Sequence, residues 1–246
     1  MAIIPEFDAF AAAYEAGQNQ VVYTRLAADL DTPVSLMLKL AGGVENAFML
    51  ESVTGGEERG RYSIIGLKPD LIWRCKGNPP DAPRDLIAES KIDLPADMPQ
   101  AAAGLFGYLG YDMVRLVEHL PDINPDPMNL PDAVMLRPSV IAVLDGVKGE
   151  VTVVSPVWAS DGHSARAAYA QAAERVMDAV RDLDRGVPGE SREMGEALDL
   201  SDPASNFTED GYKAAVERAK DYIKAGDIYQ VVHAHRWSQD FPLPPR

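Results

Sequence analysis

The chain has 246 residues, 46% of them hydrophobic, so it is long enough for one large domain or two smaller ones around a buried core. A formal net charge of −15 and a sequence pI near 4.6 argue against binding to nucleic acid or anionic lipid, since the 23 Lys and Arg residues form no basic patch. Cys75 is the single cysteine, which excludes an intrachain disulfide, and no apolar stretch has the length of a membrane span, so we expect a cytoplasmic protein.

The first part of the chain is predicted to alternate short helices with strands. Residues 6–16 form an Ala-rich helix that ends at Gly17. A second helix begins near Pro33, which suits a first helical turn, and ends at Gly42. Apolar runs with a period of two predict four strands, at 19–26, 46–53, 61–67 and 70–77.

The middle of the chain predicts a loop, a hairpin and a long helix. Residues 77–99 are rich in Pro and Asp and include a loop, although residues 84–90 could form a helical turn, and residues 103–121 begin as a strand and pass into a helix. Two β-branched runs around a Gly-containing turn make 139–156 a hairpin, and an Ala-rich apolar stripe makes 164–183 a helix. Residues 186–206 have no periodicity and are predicted to be a linker between domains.

A further helix follows the linker. Thr208 is a good N-cap, Phe207 and Tyr212 occupy hydrophobic-staple positions, and Gly226 suits the C′ position. A strand is predicted over 228–241. The apolar residues of this helix and strand need cover that the few residues after the strand cannot supply, so we expect the chain to be a truncated or fragmentary one.

No residue pattern in this chain indicates a catalytic centre. His233 and His235 share one strand face at a spacing that zinc enzymes use, but no third ligand is evident, which favours structural histidines. The alternation of Cys75 with apolar residues favours a buried, inert thiol over a nucleophile. A triplet of glycines fits neither the dinucleotide fingerprint nor the P-loop and favours close packing: Gly104, Gly107 and Gly110.

A family resemblance is carried by several stretches in the family's order: DLDTPVSLMLKL, FMLESV, GRYSIIGLKP, GYLGYDMVR, LPDAVMLRPSVIAVLD and FTEDGYKAAVERAKDYIKAGDIYQVV. They resemble component I of anthranilate synthase, a lyase that uses chorismate. The resemblance implies an α+β fold with mixed or antiparallel β-sheets flanked by helices. It also implies an amino-terminal domain at 1–185 with a tryptophan-effector region, a linker at 186–206, and an incomplete start of the chorismate-binding domain at 207–246.

The segment FMLESV raises the question of why a strand ends in a carboxylate and a hydroxyl. By themselves, these residues favour a strand that leads into a turn. In the family that the chain resembles, a Leu-Glu-Ser element contributes to the pocket for tryptophan as feedback inhibitor, which implies an effector site at Leu50, Glu51 and Ser52. The chemistry fits, because a carboxylate can receive the ammonium group of a free amino acid.

The resemblance also implies a reaction. A complete enzyme of this family converts chorismate, with ammonia or glutamine, to anthranilate and pyruvate in tryptophan biosynthesis. It would need Mg²⁺ and a glutamine amidotransferase subunit, as a heterotetramer. Catalytic and metal-binding residues are expected beyond residue 246, so we assign none within this chain and expect the 246 residues alone to be inactive.

Two alternatives stay open at this stage. Aminodeoxychorismate synthase component I shares the fold, although the Leu-Glu-Ser element and the long amino-terminal domain favour the anthranilate enzyme, and a non-catalytic, truncated binding module would need no second half. The chain also departs from the family at residues 233–236, where His-Ala-His-Arg replaces the usual Leu-Ser-Gln-Arg.

Overall fold

The chain divides into two units, Met1–Glu190 and Ser191–Arg246. The computed structural model describes the following residues: 2–51, 60–77, 82–121, 125–159, 162–188 and 200–242. The boundary between the units falls within the predicted linker, and the domain limits given above stay a prediction. None of the helices in these ranges is long and apolar enough to cross a membrane.

The predicted α+β fold is confirmed, since the first unit contains an antiparallel sheet flanked by helices. Its elements, in chain order, are α1 (Phe7–Glu15), β1 (Gln20–Ala27), α2 (Pro33–Ala41), β2 (Phe48–Leu50), β3 (Tyr62–Cys75), α3 (Ala82–Glu89), β4 (Phe106–Leu109), β5 (Ala133–Asp145), β6 (Glu150–Val157) and α4 (Ala165–Leu183). Two short 3-10 helices, Gln100–Ala102 and Tyr111–Leu116, flank β4.

The sheet has six strands in the order β1-β6-β5-β3-β2, and β4 is attached to β5. The central strand β5 pairs with β3 from Tyr62↔Asp145 to Cys75↔Ala133. On its other edge, β5 pairs with β6 through its last five residues and with β4 through its first four. The hairpin predicted from the β-branched runs, β5 and β6, is therefore the centre of the sheet.

β5 is buried on both faces because its alternate residues belong to two different hydrophobic clusters. Val140, Ala142 and Leu144 pack with side chains of α2 and α4. Ile141 and Val143 pack on the opposite face, in a cluster that includes side chains of β2 and β4. A strand covered on both faces requires a continuous apolar run, which is what the sequence of β5 provides.

The structure corrects two strand predictions in the first unit. The predicted strands 61–67 and 70–77 are one strand, β3, with an irregularity in register between Pro69 and Leu71. Lys68 has a φ of +48° at this point. Proline lacks an N–H, so the bulge lets the strand continue without the missing ladder bond.

The second unit contains a well-capped helix, α5 (Glu209–Ala225). The Thr208 side chain accepts a hydrogen bond from the Gly211 N–H at 3.1 Å, and the Phe207 and Tyr212 rings meet edge to face at 5.8 Å. Gly226 adopts the left-handed conformation with φ +85°. All three local predictions are confirmed.

The predicted strand at 228–241 is wrong. Only β8 (Trp237–Ser238) is a strand there, and it pairs with β7 (Ala204–Ser205), which lies inside the predicted linker. A strand exists only where a partner receives its backbone hydrogen bonds, and β7 offers two residues. The apolar pattern of 228–241 cannot compensate for the missing partner.

Candidate functional site

The predicted effector residues lie at the end of an edge strand. Leu50 is the last residue of β2 and pairs with Ile64 of β3, and its side chain is 51% exposed. Glu51 follows directly and is exposed. Ser52 lies outside the described residues. The structure therefore places Leu50 and Glu51 at the surface, where a ligand can reach the carboxylate.

The position of β2 depends on Phe48, two residues before Leu50. Phe48 pairs with Gly66 of β3, and a Cβ added to Gly66 would lie only 2.3 Å from Cε1 and Cζ of the Phe48 ring. The same ring lies 4.8 Å from the ring of Phe106. Gly66 thus leaves the space that the Phe48 ring occupies. A glycine inside a strand pattern is the sequence signal for such a close approach.

The start of β3 is joined to the β5–β6 turn by a bidentate ion pair. Arg61 donates from Nε to Asp145 Oδ1 at 2.9 Å and from Nη2 to Asp145 Oδ2 at 2.6 Å. The backbone N–H groups of Val147 and Lys148 also donate to Oδ1. These contacts fix the point at which the chain enters β3, because Arg61 directly precedes the first residue of that strand, Tyr62.

The Asp145 carboxylate of this pair accepts hydrogen bonds at both of its oxygens. The hydrogen bonds from Arg61 lower the pKa of the Asp145 carboxyl, and partial burial opposes that effect without cancelling it. The guanidinium of Arg61 also lies 5.1 Å from the centre of the Tyr62 ring. Sequence analysis missed this pair, because its members are 84 residues apart.

A second polar cluster, also missed, lies at the bulge of β3. Asp70 accepts from Arg137 Nε and from Trp158 Nε1, both at 2.8 Å. The Arg137 guanidinium stacks over the Trp158 ring at 4.3 Å. A cavity of about 60 Å³ beside it is lined in part by His163 and Arg175. The sequence signal was that charged residues, among them Asp70 and Arg137, interrupt two largely apolar strands.

The two histidines belong to an aromatic group in the second unit. His235 Nε2 lies 2.6 Å from Ser205 Oγ, and its ring packs at 4.9 Å from Trp237 and 5.5 Å from Tyr212. The His233 ring lies 6.1 Å from Tyr212. Within the described ranges, no group of three or more His, Cys, Asp or Glu residues could hold a metal ion. In this structure the histidines contribute to packing.

The glycine triplet serves close packing at two of its three positions. A Cβ on Gly107 would lie 1.9 Å from the Val134 carbonyl oxygen, and one on Gly110 would lie 2.9 Å from that of Asp132. Gly104 instead has a φ of +131° with open space around it. The packing interpretation is thereby confirmed for Gly107 and Gly110.

Cys75 is a buried thiol. Its Sγ donates to the Gly77 carbonyl at 2.8 Å, and burial raises its pKa above that of a free thiol. A thiol that resists ionisation is a poor nucleophile, which agrees with the inert role predicted for it.

The chain is similar in sequence and in fold to known proteins. Residues 45–246 match the model of a family described as chorismate binding enzyme. The chain belongs to this family. It is 64% identical over 260 residues to anthranilate synthase component 1 of Cereibacter sphaeroides, covering 97% of this chain and 52% of the relative. It is 36% identical to anthranilate synthase component 1 of Thermus thermophilus, covering 89% of this chain and 47% of the relative.

The resemblance to component I of anthranilate synthase is thus confirmed, and this member of the chorismate-binding enzyme family spans about half the length of the curated relatives it matches. A crystal structure of anthranilate synthase component I from Streptococcus pneumoniae TIGR4 has the same fold, with a TM-score of 0.54 and 23% sequence identity. The match covers 82% of this chain and 45% of that one.

Proposed function

We propose that this chain forms the amino-terminal half of an anthranilate synthase component I. The full-length enzyme, a lyase, would convert chorismate with ammonia to anthranilate and pyruvate, and it would use glutamine when a glutamine amidotransferase subunit is bound in a heterotetramer. The observation that carries the proposal is the 64% identity to anthranilate synthase component 1 across 97% of the chain. A cytoplasmic location is part of it.

Mg²⁺ is the cofactor that we propose for the full-length enzyme. It would supply positive charge that offsets the carboxylates of substrate and protein as the enolpyruvyl group is lost. The described residues contain no group of three or more carboxylate, imidazole or thiol side chains that fits a metal ion. None of them is therefore assigned to Mg²⁺.

Tryptophan feedback inhibition at Leu50, Glu51 and Ser52 is the regulatory part of the proposal. Glu51 is exposed and forms no hydrogen bond or ion pair with another described residue, so its carboxylate can receive an ammonium group. The half-exposed Leu50 side chain beside it offers apolar contact. This combination of an apolar side chain and a carboxylate suits an amino acid with a large apolar side chain.

Product identity tests the proposed reaction. Full-length enzyme with chorismate, ammonium and Mg²⁺ should produce anthranilate, detected by its fluorescence and by chromatography. Glutamine should replace ammonium only after the amidotransferase subunit is added. Accumulation of aminodeoxychorismate without anthranilate would instead identify the alternative, aminodeoxychorismate synthase component I.

A charge-neutral substitution tests the effector site. In the full-length enzyme, Glu51→Gln should weaken tryptophan inhibition about ten- to a hundredfold, because a hydrogen bond to a charged group contributes about 1.5–3 kcal/mol. Inhibition curves at fixed chorismate measure the effect. Glu45→Gln, the same change at an exposed residue just before β2, is the matched control and should leave the curve in place. Coincident curves for all three proteins would show that Glu51 is only the end of a strand.

A further inference from the structure

The three-residue strand β2 forms few backbone hydrogen bonds with the rest of the sheet. It lies at one edge of the sheet and pairs only with β3 among the described strands, through Phe48↔Gly66, Met49↔Ile65 and Leu50↔Ile64. A ladder this short leaves the exact position of a strand weakly determined, so side-chain packing has to determine it. Phe48 is the side chain in position to do so.

The Phe48 ring lies against Gly66 of β3, in the space that a side chain at this position would occupy. Its Cε1 and Cζ atoms lie 2.3 Å from where a Cβ of Gly66 would stand, and Pro138 Cγ lies 3.0 Å from that same point. The φ of Gly66 is outside the left-handed region, so its backbone does not require glycine. Space for the ring is therefore the physical reason for glycine at this position.

A second ring holds Phe48 from the side. Phe106, the first residue of β4, lies 4.8 Å from Phe48 between ring centres, with the planes tilted by 33°. Phe106 pairs with Leu136 of β5. The two rings thus connect β2 to β4, although these strands share no hydrogen bonds in the described sheet. Tilted aromatic pairs of this kind add stabilisation beyond the area that they bury.

We propose that Phe48, Gly66 and Phe106 are positioning residues for the effector site, which present Leu50 and Glu51 to the ligand by fixing the place of β2. This inference rests on the proposed function. Glu51 follows Phe48 by three residues, about 10 Å along an extended chain, so a displaced ring moves the carboxylate that binds the ammonium group. None of the three side chains needs to touch the ligand.

Two single variants of the full-length enzyme test the inference first. Gly66→Ala places a methyl group inside the Phe48 ring position and should raise the tryptophan concentration for half-inhibition by about tenfold, with an equal change in Kd by calorimetry. Phe106→Leu removes the lateral ring and should raise both several-fold. kcat and KM for chorismate without tryptophan should stay within about twofold of wild type, since the effect acts through the effector strand.

A double-mutant cycle distinguishes positioning from general damage. Phe48→Leu should weaken tryptophan binding, but adding Gly66→Ala to it should cause little further loss, because the smaller side chain leaves room for the new methyl group. If the fold-changes in tryptophan Kd of the two single variants multiply in the double variant, the inference is overturned. If Gly66→Ala does not fold, Phe106→Leu and Phe48→Leu decide the matter, and unchanged tryptophan binding in both would overturn it.

Phe10→Leu is the matched stability control. Phe10 is fully buried in a separate cluster, where it packs against Tyr14 and Tyr169. The Phe10→Leu substitution should lower Tm about as much as the substitutions near β2 do, and it should leave tryptophan Kd unchanged. An equal loss of tryptophan affinity in Phe10→Leu would overturn the inference. If tryptophan does not inhibit the wild-type enzyme, both the effector proposal and this inference are overturned. If tryptophan inhibits wild type and Gly66→Ala equally, only this inference is overturned.

Discussion

At the scale of single residues, Asp145 does the most to join distant parts of the first unit. Its carboxylate accepts two hydrogen bonds from Arg61 and two from the backbone of the β5–β6 turn. The turn, the end of β5 and the start of β3 therefore share one charged group. Its side chain is only 11% exposed, so the loss of these bonds would leave polar groups without water to replace them.

Asp145→Asn should destabilise the protein by about 1–3 kcal/mol at pH 7, since it weakens the charge-assisted bonds to Arg61. Arg61 lowers the pKa of this carboxyl in the folded state, so the unfolded state binds the proton more tightly. The stabilisation is then complete above the ordinary carboxyl pKa of about 3.9 and is lost as the pH falls through the lower folded value. Urea unfolding of wild type and variant across this range measures it.

The difference between the two unfolding free energies should be constant from about pH 7 to pH 5 and shrink below about pH 4. Asp93→Asn, at an exposed carboxylate on a loop, is the control and should change little at any pH. A difference that persists at full size in acid would contradict the role of the ion pair.

Residue roles were predictable from sequence where the interaction is local. The Thr208 cap, the Phe207–Tyr212 staple and the Gly226 terminus depend on residues within a few positions of each other. Arg61 and Asp145 are brought together by a strand register that spans 84 residues, and no local pattern determines that register. The same holds for Phe48 and Phe106, which meet only when β3 and β5 join β2 and β4 into one sheet.

At the scale of elements, β4 shows how closely two strands can approach when one carries glycine. A Cβ on Gly107 would lie 1.9 Å from the Val134 carbonyl oxygen of β5. This neighbour is backbone, so it cannot swing aside as a flexible side chain would. The paired section from Phe106 to Leu109 would have to move as a whole.

Gly107→Ala should therefore destabilise the protein by about 1–3 kcal/mol, the usual cost of forcing an extra methyl group into a site that has no room for it. Thermal unfolding followed by circular dichroism measures the change. Gly186→Ala is the matched control, because nothing lies within 4 Å of a Cβ at that position, and its Tm should be close to that of wild type. Equal Tm values for the two variants would contradict the packing described for β4.

Elements were predictable where sequence periodicity and local turns determine them. The β5–β6 hairpin and helix α4 follow from short turns, an N-cap at Ser164 and continuous apolar patterns. The strand predicted at 228–241 failed because its pattern was correct for a strand but no partner of matching length exists among the described residues. The division of β3 into 61–67 and 70–77 failed for a different reason, because a bulge beside Pro69 lets the strand continue.

At the scale of the whole chain, the two units differ in how they bury apolar surface. The first has a sheet whose central strand is covered on both faces. In the second, Ala219 is the one hydrophobic residue of the described segment that is buried. Large apolar side chains there are substantially exposed: Ile223, Tyr229, Val231, Val232, Trp237 and Phe241. Hydrophobic burial therefore stabilises the first unit far more than the second.

Hydrogen exchange of the 246-residue chain should reveal this difference directly. Amides of residues 140–144 in β5 should exchange only by global unfolding, because neighbouring strands and two hydrophobic clusters hold them. Amides of residues 228–236 should exchange fast, since this segment has no regular backbone pairing and Tyr229 and Val232 are 94% and 83% exposed. Helix α5 should be intermediate, because its internal hydrogen bonds are intact while most of its surface faces water. Mass spectrometry of peptic peptides measures all three segments in one experiment, and strong protection across 228–236 in a monomer would contradict this account of the second unit.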